Sequence, residues 1–215
     1  MFSSSPPSVA AFGKRLEVEG ATINLDEETA SRIEAFLALL QKWNRTINLV
    51  SAASMKDGWT RHVEDSLQVL RHGDRHGDWI DVGSGAGFPG MVIALAMPPT
   101  MSITLIERDR RKCAFLQAVR RELAVPVSIV AREVDMGSPL ETRTVTARGL
   151  APLTKLLGLI RGGATDAPVG LFAKGENWED EVAAARLVWT FDLSVIPSFT
   201  RAGAALLKVE NVHAR

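Results

Sequence analysis

The segment Asp81-Val-Gly-Ser-Gly-Ala-Gly-Phe-Pro-Gly90 begins at the end of a short apolar run, Trp79–Val82, and leads into a run with helical character, Pro89–Met97. Glycine adopts backbone angles that other residues avoid, and it lets a backbone approach a ligand closely. A glycine-rich turn at the start of a helix also presents amide groups to electron-rich parts of a ligand. The segment therefore predicts a ligand-binding loop that joins a strand to a helix.

Two acidic residues indicate which ligand this loop suits. Gly85, Gly87 and Gly90 have the spacing of a dinucleotide-binding loop, but Asp81 stands two residues before the first glycine of the segment. A carboxylate there disfavours a pyrophosphate and tolerates a cationic sulfonium with an amino-acid tail. Glu107 ends the next predicted strand, where an acid can accept hydrogen bonds from both hydroxyls of an adenosine ribose. These features favour S-adenosylmethionine. A nicotinamide-dependent oxidoreductase is an alternative, although the chain contains no tyrosine for a Tyr/Lys hydride-transfer pair.

Strands and helices alternate after the loop, which predicts an α/β fold with a mostly parallel sheet covered on both faces. The predicted strands after Trp79–Val82 cover residues 102–106, 127–130, 144–147, 169–173, 190–197 and 205–212. The turn between the last two strands is too short for a crossover helix, so these strands should pair antiparallel. The predicted helices cover residues 27–44, 60–70, 89–97, 110–123, 152–160 and 178–187.

Composition excludes several classes of protein. Of 215 residues, 46% are hydrophobic, which is too many for a disordered chain. The longest uncharged apolar run, Met91–Met97, is far shorter than the ~20 residues that a membrane-spanning helix needs. Twenty-five basic residues balance 25 acidic ones, so no overall field draws the chain to nucleic acid. The single cysteine, Cys113, excludes a disulfide scaffold and fits a cytoplasmic protein. We interpret residues 1–24 as a flexible tail, 25–75 as a helical subdomain and 76–215 as the ligand-binding domain.

The repeat Arg71-His-Gly-Asp-Arg-His-Gly-Asp78 places two histidines four residues apart, with aspartates beside them. Metal ligands at that spacing require a helix or hairpin, and Gly73 opposes a helix. We therefore interpret the repeat as a polar loop and predict no metal site.

Several short motifs follow one order along the chain: Leu40-Gln-Lys-Trp-Asn44, Asn48-Leu49 with Ser51, Arg61-His-Val-Glu-Asp-Ser-Leu67, Phe88-Pro-Gly90, Ala147-Arg148 and Ala173-Lys-Gly175. In this combination, over residues 25–212, the chain resembles the small-subunit ribosomal RNA methyltransferase G family, also called glucose-inhibited division protein B. The resemblance implies the Rossmann-like sheet of class I S-adenosylmethionine-dependent methyltransferases. That sheet is mostly parallel with an antiparallel last strand and carries helices on both faces, here with an N-terminal helical extension.

The resemblance also implies an activity, the transfer of a methyl group from S-adenosylmethionine to N7 of a guanine in the decoding region of small-subunit (16S) ribosomal RNA. The enzyme would be cytoplasmic and monomeric, and it would act on ribosomal RNA or the small subunit. Guanine N7 carries a lone pair and loses no proton when it is methylated, so no general base is needed. A methyltransferase for a small molecule and a non-catalytic ribosome-assembly factor are the alternatives.

The family's site residues map onto this sequence as follows. The cofactor site comprises Asp81, Gly83, Ser84, Gly85, Gly87, Phe88, Glu107, Glu133, Val134 and Arg148, and Arg148 is also the residue expected to position the reactants. The RNA side comprises Arg61, His62 and Lys174, and Asp65 and Ser66 complete a helical signature beside the cleft. The segment 132–135 departs from the family pattern, which leaves open whether Glu133 or Asp135 lies at the adenine edge.

Other residues are weaker candidates for RNA contact. Phe88 and Trp178 are candidates for stacking on the target base. The basic residues Arg108, Arg110, Arg111, Lys112, Arg120 and Arg121 are interspersed with acids, so we interpret them mainly as a solvated helix face. Arg201 is a further basic candidate.

Overall fold

The computed structural model describes residues 25–51, 62–74, 76–162 and 168–215, together with the backbone of two short strands, β1 (Leu16–Val18) and β2 (Ala21–Ile23). These strands pair as an antiparallel hairpin within the stretch that the sequence analysis interpreted as a tail. The remainder of that stretch, Arg61 and the start of the predicted helix 60–70 lie outside the described residues.

The elements agree closely with the sequence pattern. The strands of the main sheet are β3 (Gly77–Val82), β4 (Met101–Glu107), β5 (Ser128–Ala131), β6 (Thr144–Arg148), β7 (Val169–Lys174), β8 (Trp189–Pro197) and β9 (Ala205–Ala214). The helices are α1 (Glu27–Asn44), α2 (Asp65–His72), α3 (Gly90–Ala96), α4 (Arg110–Glu122), α5 (Leu153–Leu156) and α6 (Trp178–Arg186). A 3-10 turn, Leu157–Leu159, completes the helical run that begins with α5. None of the helices in the described ranges is long and apolar enough to cross a bilayer.

The main sheet has the strand order β5-β4-β3-β6-β7-β9-β8. Strands β3 to β7 pair in parallel, and β9 runs antiparallel to both β7 and β8. The predicted α/β class and the antiparallel pairing of the last two strands are thus confirmed. The chain order reverses beside β3, which is the place where open α/β sheets bind ligands beyond the carboxyl ends of their strands.

Neighbouring residues of the central strands enter two separate cores. In β7, Leu171 belongs to a core that also receives side chains from α1 to α4, whereas Phe172 belongs to a core formed with α5 and α6. Leu206 and Leu207 of β9 are divided in the same way. Because successive strand side chains point to opposite faces of a sheet, the two cores show that helices cover both faces.

Helix α1 and the turn after it contain the first family motif. Asp26 caps the helix by accepting a hydrogen bond from the Thr29 amide at 2.7 Å. At the other end, the Asn44 side chain accepts from the Leu49 and Val50 amides at 2.8 and 3.0 Å and donates to the Val50 carbonyl. The asparagine of the motif therefore closes the turn at residues 44–50, which is a structural role.

Candidate active site

Three glycines shape the loop between β3 and α3. Gly83, Gly85 and Gly87 have φ angles of +70°, +56° and +92°, in the left-handed region that favours glycine. A Cβ atom at Gly87 would come within 2.8 Å of the Met91 Cβ, whereas at Gly85 it would meet only the Gly83 carbonyl oxygen at 3.8 Å. Gly87 is therefore needed for packing against the helix, and Gly85 faces open space in which a ligand can approach the backbone.

Glu107 is held at the end of β4 by backbone amides. One of its carboxylate oxygens accepts from the Gly85 amide at 2.9 Å, and the other accepts from the Asp109 amide at 2.8 Å. A carboxylate offers about four lone-pair positions, so it can still accept from ligand hydroxyls. Cys113 donates its thiol to the Glu107 carbonyl, and burial raises the pKa of that thiol. Cys113 is thus a packed residue that supports the strand end.

A first cavity of about 500 Å³ opens over these groups at the carboxyl ends of β3, β4 and β6. Of the predicted cofactor residues, it brings together Gly83, Gly85, Glu107, Glu133, Val134 and Arg148. Its volume lies within the range of roughly 300–1,000 Å³ that is usual for small-ligand sites. The other predicted cofactor residues, Asp81, Ser84, Gly87 and Phe88, are buried behind the loop or at its base and do not line this cavity.

The structure distinguishes the two acids that follow β5. Glu133 lines the first cavity and forms an exposed ion pair with Arg108 at 3.0 Å. Asp135 lies outside the lining, and its carboxylate accepts hydrogen bonds from the Gly137 amide at 2.9 Å and the Ser138 hydroxyl at 2.6 Å. Asp135 therefore stabilises its own turn, and Glu133 is the acid that faces the cavity.

Asp81 lies directly beneath the glycine-rich loop and is fully buried. Burial raises the pKa of its carboxyl group to about 7, although the nearby Ser84 side chain, the Gly90 amide and the charge of Arg148 oppose the rise. A Cβ atom at Gly90 would collide with this carboxyl group, so the last glycine of the segment lets α3 start against Asp81.

The replacement Asp81→Asn should flatten the pH dependence of folding stability between pH 5 and pH 7. In the folded chain the carboxyl group keeps its proton up to a pKa of about 7, whereas the ordinary value is 3.8. Rising pH in this window favours the unfolded chain, so the unfolding free energy of the wild type should fall by about 2 kcal/mol relative to the variant. Urea denaturation at both pH values checks this, and equal pH dependence in the two proteins would contradict it.

Phe88, the aromatic residue of the loop, is enclosed by three side chains. Its ring packs edge-on against Phe36 at 5.3 Å and stacks with His62 at 4.8 Å between centroids. The Arg148 guanidinium lies 5.2 Å from the ring centroid. Phe88 therefore supports Arg148 and His62 from behind. Trp178, the other stacking candidate, packs against the core formed with α5 and α6.

A second cavity, of about 310 Å³, adjoins the first. It lies between α2, the end of β7 and the turn that joins β8 to β9. Its lining includes His62, Asp65, Gln68, Arg148, Ser198 and Arg201. Arg148 and Gly149 line both cavities. Gly149 has a φ angle of +63°, and a Cβ atom there would meet nothing within 4 Å, so the backbone leaves the junction open.

Lys174 lines the second cavity, but its ammonium group already has partners. It donates to the Ala151 carbonyl at 2.6 Å and to the Glu181 carboxylate at 2.7 Å, and only 7% of its side chain is exposed. The same Glu181 oxygen accepts from the Leu153 amide at 2.7 Å. The pair therefore anchors the segment that follows Arg148 and Gly149, and contact of this ammonium with RNA would break two short hydrogen bonds.

Some of the other basic candidates form ion pairs at the surface. Arg111 pairs with Asp109, and Arg201 at the rim of the second cavity pairs with Glu176. Lys112 lines the first cavity, and Arg120 and Arg121 are exposed on α4. Exposed ion pairs contribute little to stability, so these arginines can exchange partners at little energetic cost.

The two histidines of the repeat are not part of this site, and the loop is shorter than predicted, because His72 is the last residue of α2 and β3 begins at Gly77. Gly73 ends α2, and a Cβ atom there would collide with the Trp79 indole. The Asp74 side chain then accepts from the His76 amide at 2.9 Å. No group of three or more metal-ligating side chains that could hold an ion was found within the described ranges.

Sequence reasoning missed the residues that complete the second cavity. Gly149 could have been suspected because it directly follows Arg148 at a strand end, but Ser198 carries no sequence signal. Its place beside Asp65 depends on the β8–β9 turn folding back onto α2.

Comparison with known proteins agrees with this architecture. The family model described as rRNA small subunit methyltransferase G matches residues 29–206. Ribosomal RNA small subunit methyltransferase G of Ruegeria sp. (strain TM1040) is 39% identical over 193 residues, which cover 88% of this chain and 94% of that protein.

Two solved structures share the fold. The first is a mutant of MtNAS in complex with S-adenosylmethionine, with a TM-score of 0.55 and 12% identity over 86% of this chain and 76% of that one. The second is a SAM-dependent methyltransferase from Aquifex aeolicus, with a TM-score of 0.53 and 12% identity over 80% of this chain and 97% of that one. At such low identity, these structures establish the fold alone.

Proposed function

Because the chain belongs to the rRNA small subunit methyltransferase G family, we propose that it methylates N7 of a guanine in the decoding region of 16S ribosomal RNA. Membership makes the chain an S-adenosylmethionine-dependent methyltransferase with small-subunit ribosomal RNA as its substrate. The observation that carries the proposal is the match over residues 29–206, which includes the glycine-rich loop, Glu107 and Arg148.

The first cavity has the groups that S-adenosylmethionine requires. Glu107 is oriented to accept hydrogen bonds from the ribose hydroxyls, and Glu133 and Val134 are the candidates for the adenine edge. The open backbone at Gly85 leaves room for the methionine part of the ligand. We therefore assign this cavity to the cofactor.

Placement of the reactants is the main task of the protein in this reaction. When bound, S-adenosylmethionine supplies a methyl group on a cationic sulfur, which keeps the C–S electron pair as the lone pair of guanine N7 forms the new bond. No residue of the chain has to accept a proton, because N7 attacks without losing one. Correct placement alone can lower such a barrier by ~7–11 kcal/mol.

Arg148 is the residue to which we assign that task. It lines both cavities, so it can contact cofactor and target together. Its guanidinium is supported by the Phe88 ring, and the segment after it is anchored by Lys174 and Glu181. Arginine presents a planar set of donors that suits carboxylates, phosphates and carbonyl oxygens.

The proposal also covers the oligomeric state, the compartment, the metal requirement and the RNA-binding side of the enzyme. We assign it to a monomer in the cytoplasm, where small ribosomal subunits are found, and to a transfer step without a metal ion. Residues 25–75 would act as a helical subdomain beside the methyltransferase domain, with His62 and Arg61 on the RNA side.

The proposed function is tested by mapping 7-methylguanine in 16S RNA from cells that lack this protein. We expect one modification to disappear and to return when the wild-type gene is supplied, but not when the Arg148→Met variant is supplied. Retention of every 7-methylguanine would contradict the proposal. Purified protein that methylates a free metabolite without RNA would support the small-molecule alternative. Restoration of the modification by Arg148→Met would contradict the role of that residue.

Replacement of Glu107 by alanine should weaken binding of S-adenosylmethionine roughly 5- to 150-fold, because loss of hydrogen bonds to a charged group costs about 1–3 kcal/mol. Titration calorimetry measures this, with Glu122→Ala as the matched control, since Glu122 is an exposed acid on α4. Unchanged affinity in Glu107→Ala would show that the ribose is bound elsewhere.

A further inference from the structure

The chemistry of guanine limits how it can enter the site. The edge that carries N7 also carries O6, and both atoms are hydrogen-bond acceptors. The Watson–Crick edge across the ring carries two donors, the N1–H and the 2-amino group. If N7 faces the cofactor, the two donors face away from it. A pocket for the target base should therefore have donors beside the cofactor cavity and an acceptor on its far side.

The second cavity contains both kinds of group. It meets the first cavity at Arg148, whose side chain can donate hydrogen bonds, and at Gly149, where the backbone is open. Its volume of about 310 Å³ lies at the small end of ligand pockets, which suits a single base. Among the described residues that line it, Asp65 is the only carboxylate.

Asp65 is oriented by the turn between β8 and β9. Its Oδ1 atom accepts from the Ser198 hydroxyl at 3.1 Å and the Thr200 hydroxyl at 2.9 Å. The Gln68 side chain donates to the Pro197 carbonyl at 2.6 Å and joins the same helix to the end of β8. A carboxylate can accept about four hydrogen bonds, and these two hydroxyls fix the direction of the Asp65 carboxylate.

We propose that the second cavity receives the target guanine, with N7 toward the first cavity, O6 toward Arg148, and the N1–H and 2-amino groups toward Asp65. This inference rests on the proposed function and deepens it by naming the residue that selects the base. Adenine would place its 6-amino donor against the Arg148 guanidinium and its N1 acceptor against the Asp65 carboxylate. Asp65 is thus a specificity residue, and Ser198 and Thr200 are its positioning residues.

The test uses small subunits reconstituted with RNA that carries either guanosine or inosine at the mapped target position. Inosine keeps N7 and O6 but lacks the 2-amino group. In single-turnover assays, the wild type should methylate guanosine roughly tenfold or more faster than inosine, the scale for one hydrogen bond to a charged acceptor. The Asp65→Asn variant should be slow on guanosine and should lose most of this discrimination, whereas its affinity for S-adenosylmethionine should not change.

Two further variants keep the test decisive. Glu64→Gln removes a neighbouring carboxylate that does not line the second cavity, so it should keep the wild-type ratio of the two rates. If Asp65→Asn folds poorly, Ser198→Ala keeps the carboxylate, removes one orienting hydroxyl, and should lower the ratio in part. A wild-type ratio in folded Asp65→Asn would overturn this inference alone. Failure of the wild type to methylate guanosine would overturn both this inference and the proposed function.

Discussion

Replacing Arg148 with methionine should slow methyl transfer at least a hundredfold while the protein stays folded. The guanidinium lies where the two cavities meet, so its loss leaves cofactor and target without their shared contact. A displacement of reactants by about 1 Å can cost 10²-fold in rate. The stability cost should be moderate, since Arg148 is half-buried over the Phe88 ring and a cation–π contact contributes about 0.5–2 kcal/mol from exposed to desolvated sites. Single-turnover rates at saturating S-adenosylmethionine, with unfolding curves on the same sample, measure both effects.

Two controls separate geometry from charge in this experiment. Arg148→Lys keeps the positive charge but loses the planar donor set, so it should recover only part of the rate. Arg120→Met removes an exposed arginine of α4 that lines neither cavity, and it should behave as the wild type. Wild-type transfer rates in Arg148→Met would remove this residue from the site.

Replacing Phe88 with alanine should lower the free energy of unfolding by about 3–5 kcal/mol, as expected for truncation of a buried phenylalanine. The ring is only 4% exposed and packs against Phe36 and His62. Transfer by the folded fraction should also fall, because the Arg148 guanidinium loses the ring beneath it. Urea denaturation followed by tryptophan fluorescence gives the first quantity, and a single-turnover assay gives the second.

Phe88→Leu is the matched variant, because it keeps an apolar side chain in the same space. We expect it to lose less stability than Phe88→Ala and to retain more activity. If the alanine variant loses less than about 1 kcal/mol, which is well below the usual cost of such a truncation, the ring does not support this part of the core.

Local patterns in the sequence predicted the elements well, because the periods of two and about 3.6 residues set which side chains are buried. The helix Glu27–Asn44 and the strand Thr144–Arg148 illustrate this. The hairpin of β1 and β2 was missed, since strands of three residues are too short to show a period. The predicted helix 152–160 is divided into α5 and a 3-10 turn.

The site was less predictable because it depends on which loops converge. The strand–loop–helix pattern located Gly85 and Glu107 at one end of the sheet, since the carboxyl ends of parallel strands share an edge. Nothing in the local sequence shows that Glu181 takes the Lys174 ammonium, or that Ser198 reaches Asp65 across 133 positions. Such contacts follow from tertiary packing, and only the structure identifies them.

Strand β9 is the last of the main sheet in chain order, yet it lies between β7 and β8. While the nascent protein leaves the ribosome, one edge of β7 therefore stays unpaired until residues 205–214 have been synthesised. Proteins are synthesised from the N-terminus, so β7 is made before β9. An unpaired strand edge is prone to aggregation until its partner strand is present. Because α2 is also held by residues 197–200, this part of its docking belongs to the same late stage. The pocket can consequently be completed only after residues 205–214 have left the ribosome, and ribosome-bound fragments that stop before residue 205 should lack it.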